Sequence, residues 1–377
     1  MTHRILIAGL VAVLTFQSSP SSAQKVYVAF GDSITFGFPV PESSYPTQLQ
    51  ALLTSRGLTD VVRNEGLSNE TAAEGVSRIN SALHVGDTTL LLMEGTNDIK
   101  AKVSVETIAF SLDQIAKKAE ARGLTVVHAP VIPRMPSAGT DGTNAISTAL
   151  AASVRELAWS STRRLADPFE VYITTSDVFN KYYSGGTDRL HPNAAGYARM
   201  AETFRDVLVG LDTVPPVPGA FSPAGESTGV PGLGPFTAVL YDFGQGIDLA
   251  KATLLLNGVA VPTTQTGDTK KLTLTHIPTI ALHGAFTLAV RASDLNVPAN
   301  ASDHVLGTFI TEGTTFLPGD LNRDGRVDGV DLVRMGVAFG ARKGDPRFFA
   351  PADVNGDNLV DGLDFAILAS NFGRSSF

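Results

Sequence analysis

The sequence has no cysteine and a single tryptophan, and only 18% of its 377 residues are charged. Without cysteine there is no disulfide to report an oxidising compartment, so any case for export must come from the N-terminus. Runs of Lys and Arg are also missing, and the formal net charge is -8. Phosphate binding depends on clustered basic side chains, so nucleic acid is excluded as the expected partner. Long apolar stretches are lacking too: the strongest, Ile5 to Phe16, is too short to span a bilayer. His84, His128, His276, His283 and His304 show no metal-like spacing. What is present is a hydrophobic content of 43% with Gly and Pro spread along the chain, the composition of a globular protein. A chain of this length exceeds one ordinary core and predicts two or three domains.

His3 and Arg4 precede the apolar run, and small residues ending in Ser21-Ser22-Ala23 follow it. That order reads as a secretory signal peptide over residues 1–23, and it predicts a secreted protein with no membrane segment after cleavage. From Lys25 to about Gly210 short apolar runs alternate with longer amphipathic stretches, the pattern of βα units around a parallel sheet. Strands are expected at Val26 to Phe30, Val61 to Asn64, Thr88 to Met93 and Leu124 to Pro130, and a helix at Ser104 to Arg122 with Ile108, Leu112, Ile115 and Ala119 on one face. The expected fold class is a three-layer α/β domain over residues 24–212. A second composition begins in the Pro-rich stretch Pro215 to Pro223. There, over residues 213–314, short Thr- and Val-rich runs replace the helical period, and Asn257-Gly258 between Leu254 to Leu256 and Val259 to Val261 signals a hairpin. An immunoglobulin-like β-sandwich fits by length and spacing.

Residues 315–377 contain an internal repeat: Asp320 to Gly340 overlays Asp353 to Gly373. Asp320, Asn322, Asp324, Asp328 and Asp331 fall at loop positions one, three, five, nine and twelve, with Gly325 at six; Asp353, Asn355, Asp357, Asp361 and Asp364 repeat them. A hard cation takes six to eight oxygens, and the seventh position supplies a backbone carbonyl, here from Arg326 and Leu359. Of nine Asp after Leu317, eight occupy these positions, which a merely solvated acidic tail would not do. Two calcium sites are therefore expected. Asn358 replaces Gly at position six of the second loop, tolerable because Asn enters the left-handed region. The paired loops resemble the dockerin type I family, which implies a cohesin-type partner on a scaffold or cell surface. Positions ten and eleven, Gly329-Val330 and Gly362-Leu363, depart from the hydroxyl-bearing or charged residues usual there.

Acyl-ester hydrolysis needs an activated nucleophile, a base in the right tautomer and donors aimed at the developing oxyanion. Gly31-Asp32-Ser33-Ile34-Thr35 ends the first expected strand and presents Ser33 at the carboxyl edge of the sheet, where ligands bind in open α/β folds. In Asp188-Arg189-Leu190-His191-Pro192, the carboxylate can hold one ring nitrogen of His191 so that the other takes the serine proton, with Pro192 fixing a turn. Asn64-Glu65-Gly66 and Gly95-Thr96-Asn97-Asp98 also follow strands, so the Gly66 N–H and the Asn97 amide can converge with the Ser33 N–H on one oxygen. Glu94 and Asp98 nearby read as structural. Gly225-Glu226-Ser227-Thr228-Gly229 spells a nucleophile-elbow motif but lacks a strand-turn-helix context and reads as a loop.

Taken together, the four blocks resemble the SGNH (GDSL) hydrolase family over about residues 25 to 210, with Ser33, Gly66, Asn97 and His191 in family order. Gly66-Leu67-Ser68-Asn69 departs from the family wording by carrying Asn at the fourth place. The resemblance implies a Ser33–His191–Asp188 triad, no cofactor for catalysis, and calcium acting through the last module alone. By association with the dockerin-like module, the expected substrate is an acetylated polysaccharide and the expected activity that of a carbohydrate esterase. A lipase, thioesterase or lysophospholipase of the same fold is the alternative within the class. Outside it stands a calcium-dependent surface or adhesion protein with an inactive hydrolase domain.

Overall fold

The computed structural model of the chain describes residues 23–134, 143–185, 188–280, 282, 284–311, 317–322 and 326–375. The leader expected at residues 1–23 lies almost wholly outside them, as do Asp324 and Gly325. No helix among the described residues is long and apolar enough to cross a membrane.

Three separate hydrophobic cores organise the chain. Around the first, strands β1 (Val26–Gly31), β2 (Val61–Gly66), β3 (Thr89–Met93), β4 (Thr125–His128) and β5 (Arg164–Leu165) form a parallel sheet in the order β2-β1-β3-β4-β5. The Thr-Leu-Leu-Leu-Met run of β3 is buried along its whole length, as a strand covered by helices on both faces must be. Helices α1 (Ser33–Phe36), α2 (Tyr45–Ser55), α3 (Ala72–Ala82), α4 (Thr96–Lys100), α5 (Val105–Glu120), α6 (Thr143–Ser160), α7 (Pro168–Thr174), α8 (Val178–Tyr182) and α9 (Ala194–Val209) accompany the sheet. The apolar face expected on α5 is there: Ile108, Leu112, Ile115 and Ala119 are all buried. Strand β2 runs two residues further than expected, through Glu65 and Gly66. The two-residue β5 carries no sequence pattern long enough to be read.

One expectation is corrected. Asp188 to His191 do not sit on a turn closed by Pro192; strand β7 (Asp188–Pro192) pairs antiparallel with β6 (Tyr183–Gly185). Pro192 is tolerated there because this two-stranded ribbon has only edges. Asn193 then caps α9, its Oδ1 accepting from Gly196 N–H at 2.9 Å.

The second core lies between two sheets that are antiparallel except for one edge strand. Strands β8 (Val217–Ser222), β9 (Ser227–Val230), β10 (Phe236–Tyr241), β11 (Thr253–Leu256), β12 (Val259–Ala260), β13 (Thr264–Gly267), β14 (Lys271–His276), β15 (Ala285–Ser293) and β16 (Ala301–Thr311) assemble as β13-β14-β10-β8 and β12-β11-β15-β16-β9. Lettered in chain order, this is the D-E-B-A and C′-C-F-G arrangement of immunoglobulin sandwiches, with β9 added in parallel beside β16. Asn257 and Gly258 take φ values of 50° and 79° between β11 and β12, the positive pair that a tight hairpin needs. Gly225 to Gly229 is not wholly a loop, since Ser227 opens the edge strand β9. No helix follows it directly.

The Pro-rich stretch enters β8 and docks on the α/β unit. Arg155 of α6, 2% exposed, donates to Asp167 at 2.8 Å, Glu170 at 3.2 Å and the Pro218 carbonyl at 2.6 Å. His304 Nε2 of the sandwich stands 3.3 Å from Glu170 Oε1. Burial pushes the Glu170 carboxyl from 4.5 up to about 8 against the pull of Arg155, and it pushes His304 from 6.5 down to about 4. Burial thus favours the neutral forms of both Glu170 and His304 at the joint.

The folded state retains the Glu170 proton between about 4.5 and about 8, so this contribution to stability is complete below that window and is lost as pH rises through it. His304 works in the opposite direction, its contribution present above 6.5 and lost as pH falls toward about 4. Denaturant titrations should show stability declining from pH 6.5 to 8, and Glu170→Gln should flatten that slope. An unchanged slope in the variant would remove Glu170 as its source.

Candidate functional site

The strand order reverses between β1 and β3, the place where an open α/β sheet leaves a crevice at its carboxyl edge. Ser33 follows β1 and Asn97 follows β3, so both stand at that edge. Gly31 precedes Ser33 because the strands come too close for a side chain: a Cβ there would lie 2.0 Å from the Met93 carbonyl oxygen. Asp32, 1% exposed, caps α1 by accepting from Ile34 N–H at 2.9 Å, and its burial raises the carboxyl to about 6.

Ser33 Oγ lies 2.9 Å from His191 Nε2. The other ring nitrogen, Nδ1, is 2.9 Å from Asp188 Oδ2. Asp188 Oδ1 accepts from the N–H groups of Leu190 and His191 at 3.0 and 3.1 Å. Partial burial alone would raise the Asp188 carboxyl, but these donors and the imidazole outweigh it and hold it below its ordinary value. The edge of the Phe38 ring packs on His191 with centroids 4.8 Å apart, and Tyr197 O–H donates to the Phe38 carbonyl at 2.6 Å. Phe36, Phe38 and Leu67 leave exposed apolar surface on the elements carrying the site.

The three expected oxyanion donors are placed unequally. Asn97 Nδ2 donates to the Glu70 carbonyl at 2.7 Å, which ties the residue 67–70 turn to the end of β3 and leaves the second amide hydrogen for another acceptor. Gly66 N–H is engaged, donating to Asn64 Oδ1 at 2.9 Å. Glycine is required at this position by packing, since a Cβ would lie 2.1 Å from Phe36 N. Three residues on, Asn69 adopts φ 67°, and its N–H makes no hydrogen bond among the described residues. The sequence already marks Asn69 as an Asn in a Gly-type position, whereas the hold of Asn64 on the Gly66 N–H escaped the sequence reading. Asp98 serves structure, its Oδ2 accepting from Ala72 N–H at 2.9 Å. Glu94, 1% exposed and with no hydrogen-bond partner for either oxygen, is held well above the usual carboxylate range by burial.

The third core joins two short helices, α10 (Gly329–Ala338) and α11 (Gly362–Asn371), each following one aspartate-rich loop. Asp328 with Asp331, and Asp361 with Asp364, form capping boxes, so loop positions nine and twelve also start the helices. Asn358 takes φ 69°, the left-handed geometry that its place in the loop demands. Asp353 Oδ1 is buried without a hydrogen-bond donor. An orphaned carboxylate oxygen, in a loop whose sequence also carries Asn355, Asp357, Asp361, Asp364 and the Leu359 carbonyl, is donor chemistry that suits an oxygen-seeking cation. In the first loop Asp320, Asn322, Asp328, Asp331 and the Arg326 carbonyl stand in the same order.

Residues 29–199 match the GDSL-like Lipase/Acylhydrolase family, and residues 318–372 match the dockerin type I domain. No curated protein matches the chain. Among solved structures it is similar to a member of the lipolytic protein G-D-S-L family from Veillonella parvula, at 21% identity, covering 50% of this chain and 100% of that one with a TM-score of 0.43. The psychrotrophic esterase EstA from Pseudoalteromonas sp. is 17% identical over 49% of this chain and 97% of its own, with a TM-score of 0.41. Axe2, an acetylxylan esterase from Geobacillus stearothermophilus, is 18% identical over 48% of this chain and 92% of its own, with a TM-score of 0.41. The match of residues 29–199 to a family of lipases and acylhydrolases marks the chain as a carboxylic ester hydrolase, with a dockerin type I match over residues 318–372.

Proposed function

We propose that the protein is a secreted serine esterase that removes acetyl groups from polysaccharides, with Ser33 as nucleophile, His191 as general base and Asp188 as its orienting partner. The observation that carries this reading is the continuous line from Ser33 Oγ through His191 to Asp188, both links 2.9 Å, at the reversal point of the sheet. His191 Nε2 takes the Ser33 proton as Oγ attacks the ester carbonyl. The resulting imidazolium is stabilised by Asp188, whose carboxyl is already held in its charged form. The Ser33 N–H and the free amide hydrogen of Asn97 face the developing oxyanion, and the third donor comes from the loop between Gly66 and Asn69. For Gly66 to serve as the sequence suggests, its N–H must first leave Asn64. His191 then returns the proton to the leaving alcohol and activates water to release the acid.

The dockerin module supports the choice of a polymeric substrate, since it implies delivery to a cohesin-type partner. Val330 and Leu363, at the recognition positions of its two helices, are 51% and 63% exposed, so that partner would meet apolar rather than hydroxyl-bearing side chains. The aromatic surface of Phe36 and Phe38 favours a second reading, a lipase or thioesterase acting on longer acyl chains. When bound, calcium supplies cross-linking charge to the two aspartate loops, held by the residues named above, and takes no part in the ester chemistry.

Acetate release from acetylated xylan and from an aryl acetate should both occur with the full chain and vanish in Ser33→Ala. Aryl turnover without xylan release would transfer the assignment to the longer-chain reading, and no turnover of either would end the esterase proposal. Asn97→Ala should lower kcat by roughly 10²–10³, the usual effect of losing one oxyanion donor; an unchanged kcat would take Asn97 out of the site. Asp353→Ala should lower the calcium stoichiometry of the full chain by one equivalent in a calorimetric titration, while leaving aryl acetate turnover intact.

A further inference from the structure

A crevice of about 540 Å³ lies away from Ser33, where the end of the α/β unit meets the sandwich, with Asp212, Asp242, Gln245 and Lys270 among its lining. Three carboxylates from distant parts of the chain gather beside it. Asp212 stands two residues beyond Gly210, the C-cap of α9. Asp242 directly follows β10, and Asp294 directly follows β15. One ligand oxygen from each lies within 4.8 Å of the others. Asp242 and Asp294 are 2% and 1% exposed, so these are not charges dissolved in surface water.

Turn formation accounts for part of the cluster. Asp242 Oδ1 accepts from Gly244 and Gly246 N–H at 2.8 and 2.7 Å. Asp294 Oδ1 accepts from Asn296 and Asn300 N–H at 3.1 and 2.8 Å, and its Oδ2 from Asn300 Nδ2 at 2.6 Å. Asp212 Oδ2 accepts from Gln245 N–H at 2.6 Å. Asp242 Oδ2 remains, buried and with no donor. Leaving such an oxygen unmatched costs stability, and turn geometry gives no reason for it. The nearby cation, Lys270, is 39% exposed; its Nζ donates to the Gly244 carbonyl and stays 3.8 Å from Asp242 Oδ1. One lysine at that range does not neutralise three gathered carboxylates. Burial, reinforced by the Asp212 charge, accordingly pushes the Asp242 carboxyl up to about 6.

We propose that Asp212, Asp242 and Asp294 hold a calcium ion that clamps the end of the hydrolase unit to two strand ends of the sandwich. The span fits: with calcium–oxygen distances of about 2.3–2.6 Å, two oxygens on one ion stand at most about 5 Å apart. Calcium accepts irregular coordination completed by water from the crevice. Magnesium demands shorter contacts and a near-regular octahedron, which turn-bound carboxylates do not present. This site is independent of the paired loops and of the ester chemistry, and it extends calcium beyond the last module. With three protein carboxylates, a dissociation constant on the order of 10⁻⁴–10⁻³ M is expected, the range of extracellular modules.

The single tryptophan, Trp159, lines the same crevice, so terbium placed among the three aspartates would emit on excitation of the indole. The test uses the full chain with its paired loops disabled by Asp320→Ala and Asp353→Ala. Terbium should give sensitised emission that calcium displaces and an equal concentration of magnesium does not. Adding Asp242→Asn should weaken terbium binding at least tenfold. Asp212→Asn should do the same, and there the amide oxygen can still accept from Gln245 N–H; unchanged Ser33-dependent aryl acetate turnover would show that this variant is folded. Absence of sensitised emission, equal titration by both aspartate variants and their parent, or equal displacement by magnesium would each overturn the assignment.

Discussion

The reversal of winding direction between β1 and β3 is the constraint on which the site depends. Helices that follow β1 and β3 leave on opposite sides of the sheet, so their first turns part and open an edge that no side chain of the sheet fills. Ser33 and Asn97 begin those turns. Close strand contact forces glycine at position 31. His191 arrives from far along the chain on a separate ribbon, whose position is fixed by Asn193, with its amide donating to the Lys181 and Tyr183 carbonyls at 3.0 and 3.1 Å. Ser33 and His191 thus belong to elements far apart in the chain, and their 2.9 Å contact is a consequence of tertiary packing.

The fold was legible where pattern and chemistry coincide. The buried run of β3, the one-sided helix α5 and the Asn257-Gly258 hairpin announce themselves because burial, periodicity and positive φ each restrict residue type. Ser33, His191 and Asp188 were singled out from their sequence motifs, and the fold brings the three side chains together. What escaped reading depends on distance in sequence. β5 is too short to carry a period, and β7 was mistaken for a turn because its pairing with β6 lies in registry and not in composition. The sequence reading had no access to the packing that makes residue 66 glycine, the backbone of Phe36 thirty residues earlier in the chain. Asp212, Asp242 and Asp294 form no motif at all; only the folding of the sandwich against α9 makes them neighbours.

Buried charge at the joint explains why the α/β unit and the sandwich are held in one arrangement. Arg155 needs three acceptors, and the chain supplies them from α7, from its N-cap and from the backbone of β8, so the guanidinium is satisfied only when β8 is docked. Undocking would take away the Pro218 carbonyl and leave one N–H face of a buried guanidinium to be resolvated, while Asp167 and Glu170 stay with it. Tyr241 and Lys271 of the sandwich add contacts to Glu156 on the same helix. The Pro-rich stretch is therefore a fixed hinge plate rather than a tether.

In the last module, each loop is completed by the tail of the other copy. Val327 exchanges backbone hydrogen bonds with Gly373 and Arg374 beyond α11, and Val360 exchanges them with Gly340 and Ala341 beyond α10. Both valines are fully buried by this crossing. The duplicated halves are thus interlocked like a pair of clasped hands, and neither is a folding unit by itself. An ancestral single copy would have had to find its missing tail on a second molecule, so the fusion of two copies in one chain replaces an association between molecules with one whose effective concentration is set by a short connecting segment.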